Sequence, residues 1–130
     1  MRKTWISIIA LISLSSCEKI KGVEGREDIE GPNITIFQPQ VESFRSNDTL
    51  KIEVLFSDNN GLHDVYIGLN DMTVGLKRIH WSLHEHGLNA KIDTFYVFPS
   101  YTGSKEYVLQ IESSDHNNNR CSTRKPLFLN

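Results

Sequence analysis

Thr49-Leu50-Lys51-Ile52-Glu53-Val54-Leu55-Phe56 is the stretch that decides the fold. Leu50, Ile52, Val54 and Phe56 alternate with Lys51, Glu53 and Leu55, so one side is apolar and the other carries both charges. A period of two matches the pleat of a β-strand, with one face on a core and one toward water. Asp58-Asn59-Asn60-Gly61 ends the run with residues that tolerate the positive φ of a tight reversal. A strand with one apolar face needs a second layer to cover it, so more strands or a helix must follow.

The flanking sequence supplies strands. Asn33–Phe37 places Ile34 and Ile36 on one face, and His63–Leu69 does the same with Val65, Ile67 and Leu69. Lys91–Phe98 stops at Pro99, Lys105–Glu112 aligns Tyr107, Leu109 and Ile111, and a polar turn over Ser113–Asn119 precedes a last strand over Arg120–Leu129. Pro126 in that strand belongs at an edge or a bulge, because proline cannot donate to a ladder. Met72–His86 mixes strand formers (Thr73, Val74, Ile79) with helix formers (Leu76, Lys77, Arg78) and reads as an irregular strand or two, with Trp81 and Leu83 in the core. About seven strands at spacings of roughly 10–15 residues predict an all-β, immunoglobulin-like β-sandwich over residues 32–130. Tyr107, four residues after Gly103, stands where a tyrosine corner would bond its hydroxyl to nearby backbone.

The N-terminal region is of another kind. Arg2 and Lys3 precede an apolar run from Trp5 to Leu14, and Leu14-Ser15-Ser16-Cys17 closes it. At about ten residues the run falls short of the roughly 20 needed to span a bilayer. The pattern resembles the lipobox of bacterial lipoproteins. That resemblance implies a signal peptide over residues 1–16, a lipidated Cys17 as first mature residue, and attachment to a membrane through that lipid. Acylation would leave Cys121 without an intrachain disulfide partner. Residues 17–31 then form an acylated cysteine and a flexible charged tether; Glu18–Gly31 holds three glycines and eight charges, and as a coil it reaches about 20 Å.

Pro32-Asn33-Ile34, Ile52-Glu53-Val54 before Ser57-Asp58-Asn59-Asn60-Gly61-Leu62, Gly103, and Tyr107-Val108-Leu109-Gln110-Ile111 before Ser114-Asp115-His116-Asn117-Asn118 carry a second likeness. Over residues 32–130 the chain resembles small Gram-negative surface lipoproteins with a single immunoglobulin-like domain of unknown function. The resemblance implies that fold and a place in the cell envelope, at the outer membrane. It brings no catalytic residue.

Charge and composition narrow the function. Fourteen Lys and Arg face sixteen Asp and Glu, and losing Arg2 and Lys3 takes the net charge from −2 to about −4. Without a basic cluster the chain is no nucleic-acid binder, since phosphate neutralisation needs grouped Lys and Arg. Neither a Gly-rich phosphate loop nor a GxSxG elbow occurs. Cys121 reads as a small core filler. The expectation is a lipid-anchored binding, adhesion or accessory module without catalysis or cofactor, meeting an envelope protein or a glycan.

The histidines offer an alternative, a zinc- or copper-binding envelope protein. His84 and His86 share strand parity and would stand about 7 Å apart. His63 and His116 are donors that a tetrahedral site could add, while His80 lies too far along the strand. The metalloprotease pattern HExxH is absent. Asp58 and Asp115 offer oxygens for calcium on two turns, although turn chemistry explains both as Asx turns. Asn47-Asp48-Thr49-Leu50 resembles an Asp-Thr-aliphatic O-glycan acceptor, which makes Thr49 a glycosylation candidate.

Overall fold

The computed structural model of the chain describes residues 29–130 and the backbone of residues 16–18. The expected signal peptide up to Ser15, and residues 19–28 of the tether, lie outside the described residues. Period-two alternation becomes nine strands: β1 (Ser16–Glu18), β2 (Asn33–Gln38), β3 (Ser43–Phe44), β4 (Thr49–Ser57), β5 (Leu62–Asp71), β6 (Leu76–His84), β7 (Asn89–Val97), β8 (Lys105–Asp115) and β9 (Arg120–Leu129). The described residues contain no helix, so none that could cross a membrane.

One sheet runs β2-β4-β7. The other runs β1-β9-β8-β5-β6, with β3 parallel to the end of β9. Of the seven long strands, the first, second and fifth form one layer; the third, fourth, sixth and seventh form the other. This is an immunoglobulin-like β-sandwich whose fourth long strand pairs with the third. The apolar row of β4 (Leu50, Ile52, Val54, Phe56) is wholly buried. It faces Val65, Ile67 and Leu69 of β5, Leu109 and Ile111 of β8, and Leu127 and Leu129 of β9. Each such side chain contributes about 1.5–3 kcal/mol by leaving water. Pro126 sits where β9 has β8 on one side only, between the stretches covered by β1 and β3, so its missing N–H interrupts no ladder on that flank. Cys121 is buried, as a filler should be.

Met72–His86 holds one irregular strand, the first of the two readings: a turn with Gly75 at φ 69° leads into the edge strand β6, whose register on β5 shifts between Ile79 and Lys77. Two expectations need correction. Trp81 and Leu83 stand on the inner face of β6, opposite Ile67 and Val65, yet they stay 37% and 42% exposed. The edges of β6 and β7 do not close over them, leaving a cavity of about 640 Å³ lined by Ile67, Ile79, Trp81, Leu83, Ala90 and Ile92. Finally, Tyr107 makes no tyrosine corner. Its hydroxyl is buried without a hydrogen-bond partner, and its pKa is raised, first by burial and then by the charge of Asp71.

Asp71 itself is fully buried, at the end of β5. Its Oδ2 accepts hydrogen bonds from Arg78 Nη2 at 2.9 Å and from buried Lys105 Nζ at 3.2 Å. Burial pushes its pKa up, but the bonds from Arg78 and Lys105 outweigh that, and the carboxyl lies below its usual range. A depressed folded pKa adds stability above the unfolded value of about 3.9, and that stability is lost as pH falls through the folded value. Asp71→Asn leaves Lys105 uncompensated and is expected to cost about 3–5 kcal/mol in urea unfolding near neutral pH. Between about pH 5 and pH 2 the native chain should lose stability more steeply than the variant; parallel curves would show that Asp71 is not a source of acid lability.

Candidate functional site

Three connections meet at one end of the sandwich: residues 58–61 between β4 and β5, 85–88 between β6 and β7, and 116–119 between β8 and β9. Backbone bonds fasten the first two together, with Asp58 N donating to Leu88 O and Leu62 N to Gly87 O, both at 2.9 Å. The third docks through His116 Nδ1, 3.4 Å from the carbonyl of Gly61. The N-terminal approach reaches the same end, where Asn119 Nδ2 donates to Glu30 O at 3.4 Å and Asn59 Nδ2 to Glu30 Oε2 at 3.3 Å.

Asp58 and Asp115 build these turns. Asp58 Oδ1 accepts from the backbone of Asn60 and Gly61 at 2.9 and 2.8 Å. Asp115 Oδ1 accepts from the backbone of Asn117 and Asn119, both at 2.8 Å. These are Asx turns, and the carboxylates serve their own loops. Thr49 is exposed at the start of β4, behind a turn in which Asp48 Oδ2 accepts from Arg45 N at 2.8 Å.

The histidines converge. Ring centroids of His63 and His84 lie 4.3 Å apart, His84 and His86 4.6 Å, His86 and His116 5.6 Å, and His63 and His116 4.9 Å, closing a cycle. The diagonal from His84 to His116 is 6.4 Å. His80 stands apart, 5.3 Å from Tyr66. All four candidate metal ligands named from sequence are therefore neighbours, and His80 lies outside their cycle.

A backbone irregularity makes this possible. In the β5–β8 ladder Leu62 faces Asp115 and Asp64 faces Ser114, so β5 carries one extra residue, His63. Strict alternation would send His63 to the core beside Val65. The bulge lets Leu62 and Val65 both point inward while His63 and Asp64, consecutive in sequence, both reach solvent.

Asp64 is the residue sequence reasoning missed. Its Oδ2 lies 2.8 Å from His63 Nδ1 and its Oδ1 lies 3.0 Å from His84 Nδ1. Asp64 and His84 are direct cross-strand partners, so only the register of β5 on β6 could have revealed the contact. The hydrogen bond with His84 is the main cause of a lowered Asp64 pKa, with burial opposing and His63 assisting. The ligand atoms of His63, Asp64 and His84 all lie within 4.8 Å of one another, a grouping among the described residues that excludes His86 and His116 as well as Asp58 and Asp115.

No protein family and no curated protein is matched by this sequence. Among solved structures the chain is similar to a Niemann-Pick type C2 protein from the Japanese carpenter ant, with a TM-score of 0.45 and 7% identity over 77% of this chain and 91% of that one.

Gly61 holds the loops in place. Its φ of +115° is foreign to L side chains, and a Cβ there would point at His116 Nδ1 and His86 O, each 3.8 Å away. Gly61→Ala is expected to cost about 1–3 kcal/mol in urea unfolding. In an NMR spectrum the ring signals of His86 and His116 should shift while that of His80 stays still; equal shifts at all three would refute a local effect.

Proposed function

We propose that this chain is a lipid-anchored, non-catalytic module of the cell envelope, at the outer membrane, and that the histidine end of its sandwich binds a divalent transition-metal ion. The lipobox-like Leu14-Ser15-Ser16-Cys17 supports the anchor. The spacing of four imidazoles supports the metal.

Ring nitrogens bind zinc at about 2.0–2.1 Å, which puts each ring centroid roughly 3.2 Å from the ion. Four such rings would then lie about 5.2 Å apart in a tetrahedron, or about 4.5 Å along the sides and 6.4 Å across a square. Two sides of the cycle, 4.6 and 4.9 Å, fall between these values, while 4.3 Å lies below both and 5.6 Å above both; the 6.4 Å diagonal equals that of the square. All-imidazole donors suit zinc and copper, and copper(II) binds such ligands more tightly.

The test has two arms. The full-length chain, purified in detergent, should hold one zinc or copper(II) ion by metal analysis and lose it when His84 and His86 are both replaced by alanine. A native chain that stays metal-free after loading would sink the metal reading. Separately, mass spectrometry should find acyl groups on Cys17, and Cys17→Ser should move the protein from the membrane fraction to the soluble one. Unchanged membrane attachment would end the case for the anchor.

A further inference from the structure

Resting on that metal-binding reading, we propose that the ion is held by Nε2 of His63, His84, His86 and His116, and that Asp64 stays outside the coordination shell as a clamp shared by two of the rings.

Ligand-atom proximity alone points the other way, because Asp64 and the two histidines it touches are close enough to share an ion while His86 and His116 fall outside that grouping and join through ring contacts only. The hydrogen-bond chemistry decides otherwise. An ionised carboxylate only accepts, so a ring nitrogen bonded to it must carry the hydrogen. Both Asp64 oxygens are engaged in this way, Oδ2 with His63 Nδ1 and Oδ1 with His84 Nδ1. In both rings the free lone pair is therefore on Nε2. His116 repeats the pattern with a different acceptor, since the Gly61 carbonyl beside its Nδ1 has no hydrogen to give. Three rings thus have their tautomer set before any ion arrives. His86 completes the cycle from the 85–88 connection, between His84 and His116.

Bringing Asp64 into the shell would break two existing hydrogen bonds and free two Nδ1–H groups to swing. Leaving it outside keeps the rings oriented and makes their Nε2 atoms stronger donors, the role that outer-shell carboxylates play at histidine metal sites. The bulge at His63 acquires a purpose here: it places a ligand and its orienting carboxylate side by side on one strand.

Nitrogen-15 NMR of histidine-labelled, full-length chain tests this directly. Without metal, His63 and His84 should show a protonated Nδ1 and a bare Nε2. Adding Zn²⁺ should shift the Nε2 signals of all four residues and leave the Nδ1 protons in place. Asp64→Asn should still take one zinc, with affinity lowered about 10–100-fold, and His80→Ala should bind as the native chain does. Zinc on Nδ1 of His63 or His84, an Asp64→Asn chain with native affinity, or an unmoved His86 would each overturn the assignment. A native chain that takes no zinc would instead overturn the underlying reading, so the two failures are distinct.

Discussion

The inner row of β4 can leave water only if a second sheet lies across it, and this contact between two apolar faces sets everything else in the domain. Leu50, Ile52, Val54 and Phe56 fix which side of β4 faces in. Their partners on β5, β8 and β9 are then fixed in register, because a slip of one residue would turn every side chain over. A framework this strict offers its freedom at the strand ends. The chain uses that freedom once at the histidine end, inserting His63 so that two consecutive polar residues escape the core while the rows on either side keep their phase.

The two ends of β5 treat the same residue type in opposite ways. Asp71 is sealed in and held by two cations, so its charge is tolerated only through ion pairing. Asp64 stands in solvent with its side chain 57% exposed and takes its partners from imidazoles. The first arrangement is expensive to disturb and offers no access to a ligand. The second is inexpensive to keep and open to one, which is why the candidate chemistry belongs to that end alone.

How far the sequence was readable follows from how each strand is buried. β4, β8 and β9 bury one clean face, and their bounds fall within a few residues of the alternation that announces them. β6 is an edge strand with nearly every residue exposed, so its pattern carries little burial signal and Trp81 and Leu83 read as core when they line an open edge. Parity placed His84 and His86 together, whereas His63 and His116 could be named only as the right kind of donor. The bulge that brings His63 over breaks the alternation for one residue, too little to see in a string of letters. Asp64 needed the β5–β6 register, and the β5–β8 register, which sets Tyr107 beside Asp71, was equally hidden.

The four histidines come from two strands and two connections spread from residue 63 to residue 116, so only the folded chain holds them at these separations. Anything that occupies the cluster is captured by the native form and largely ignored by the unfolded one, and mass action then favours the native form. A ligand present at a hundred times its dissociation constant adds about 2.7 kcal/mol. Against a net stability of about 5–15 kcal/mol for an ordinary domain, that is a large share. On the proposed metal reading, the endurance of the sandwich would rise and fall with the supply of an ion.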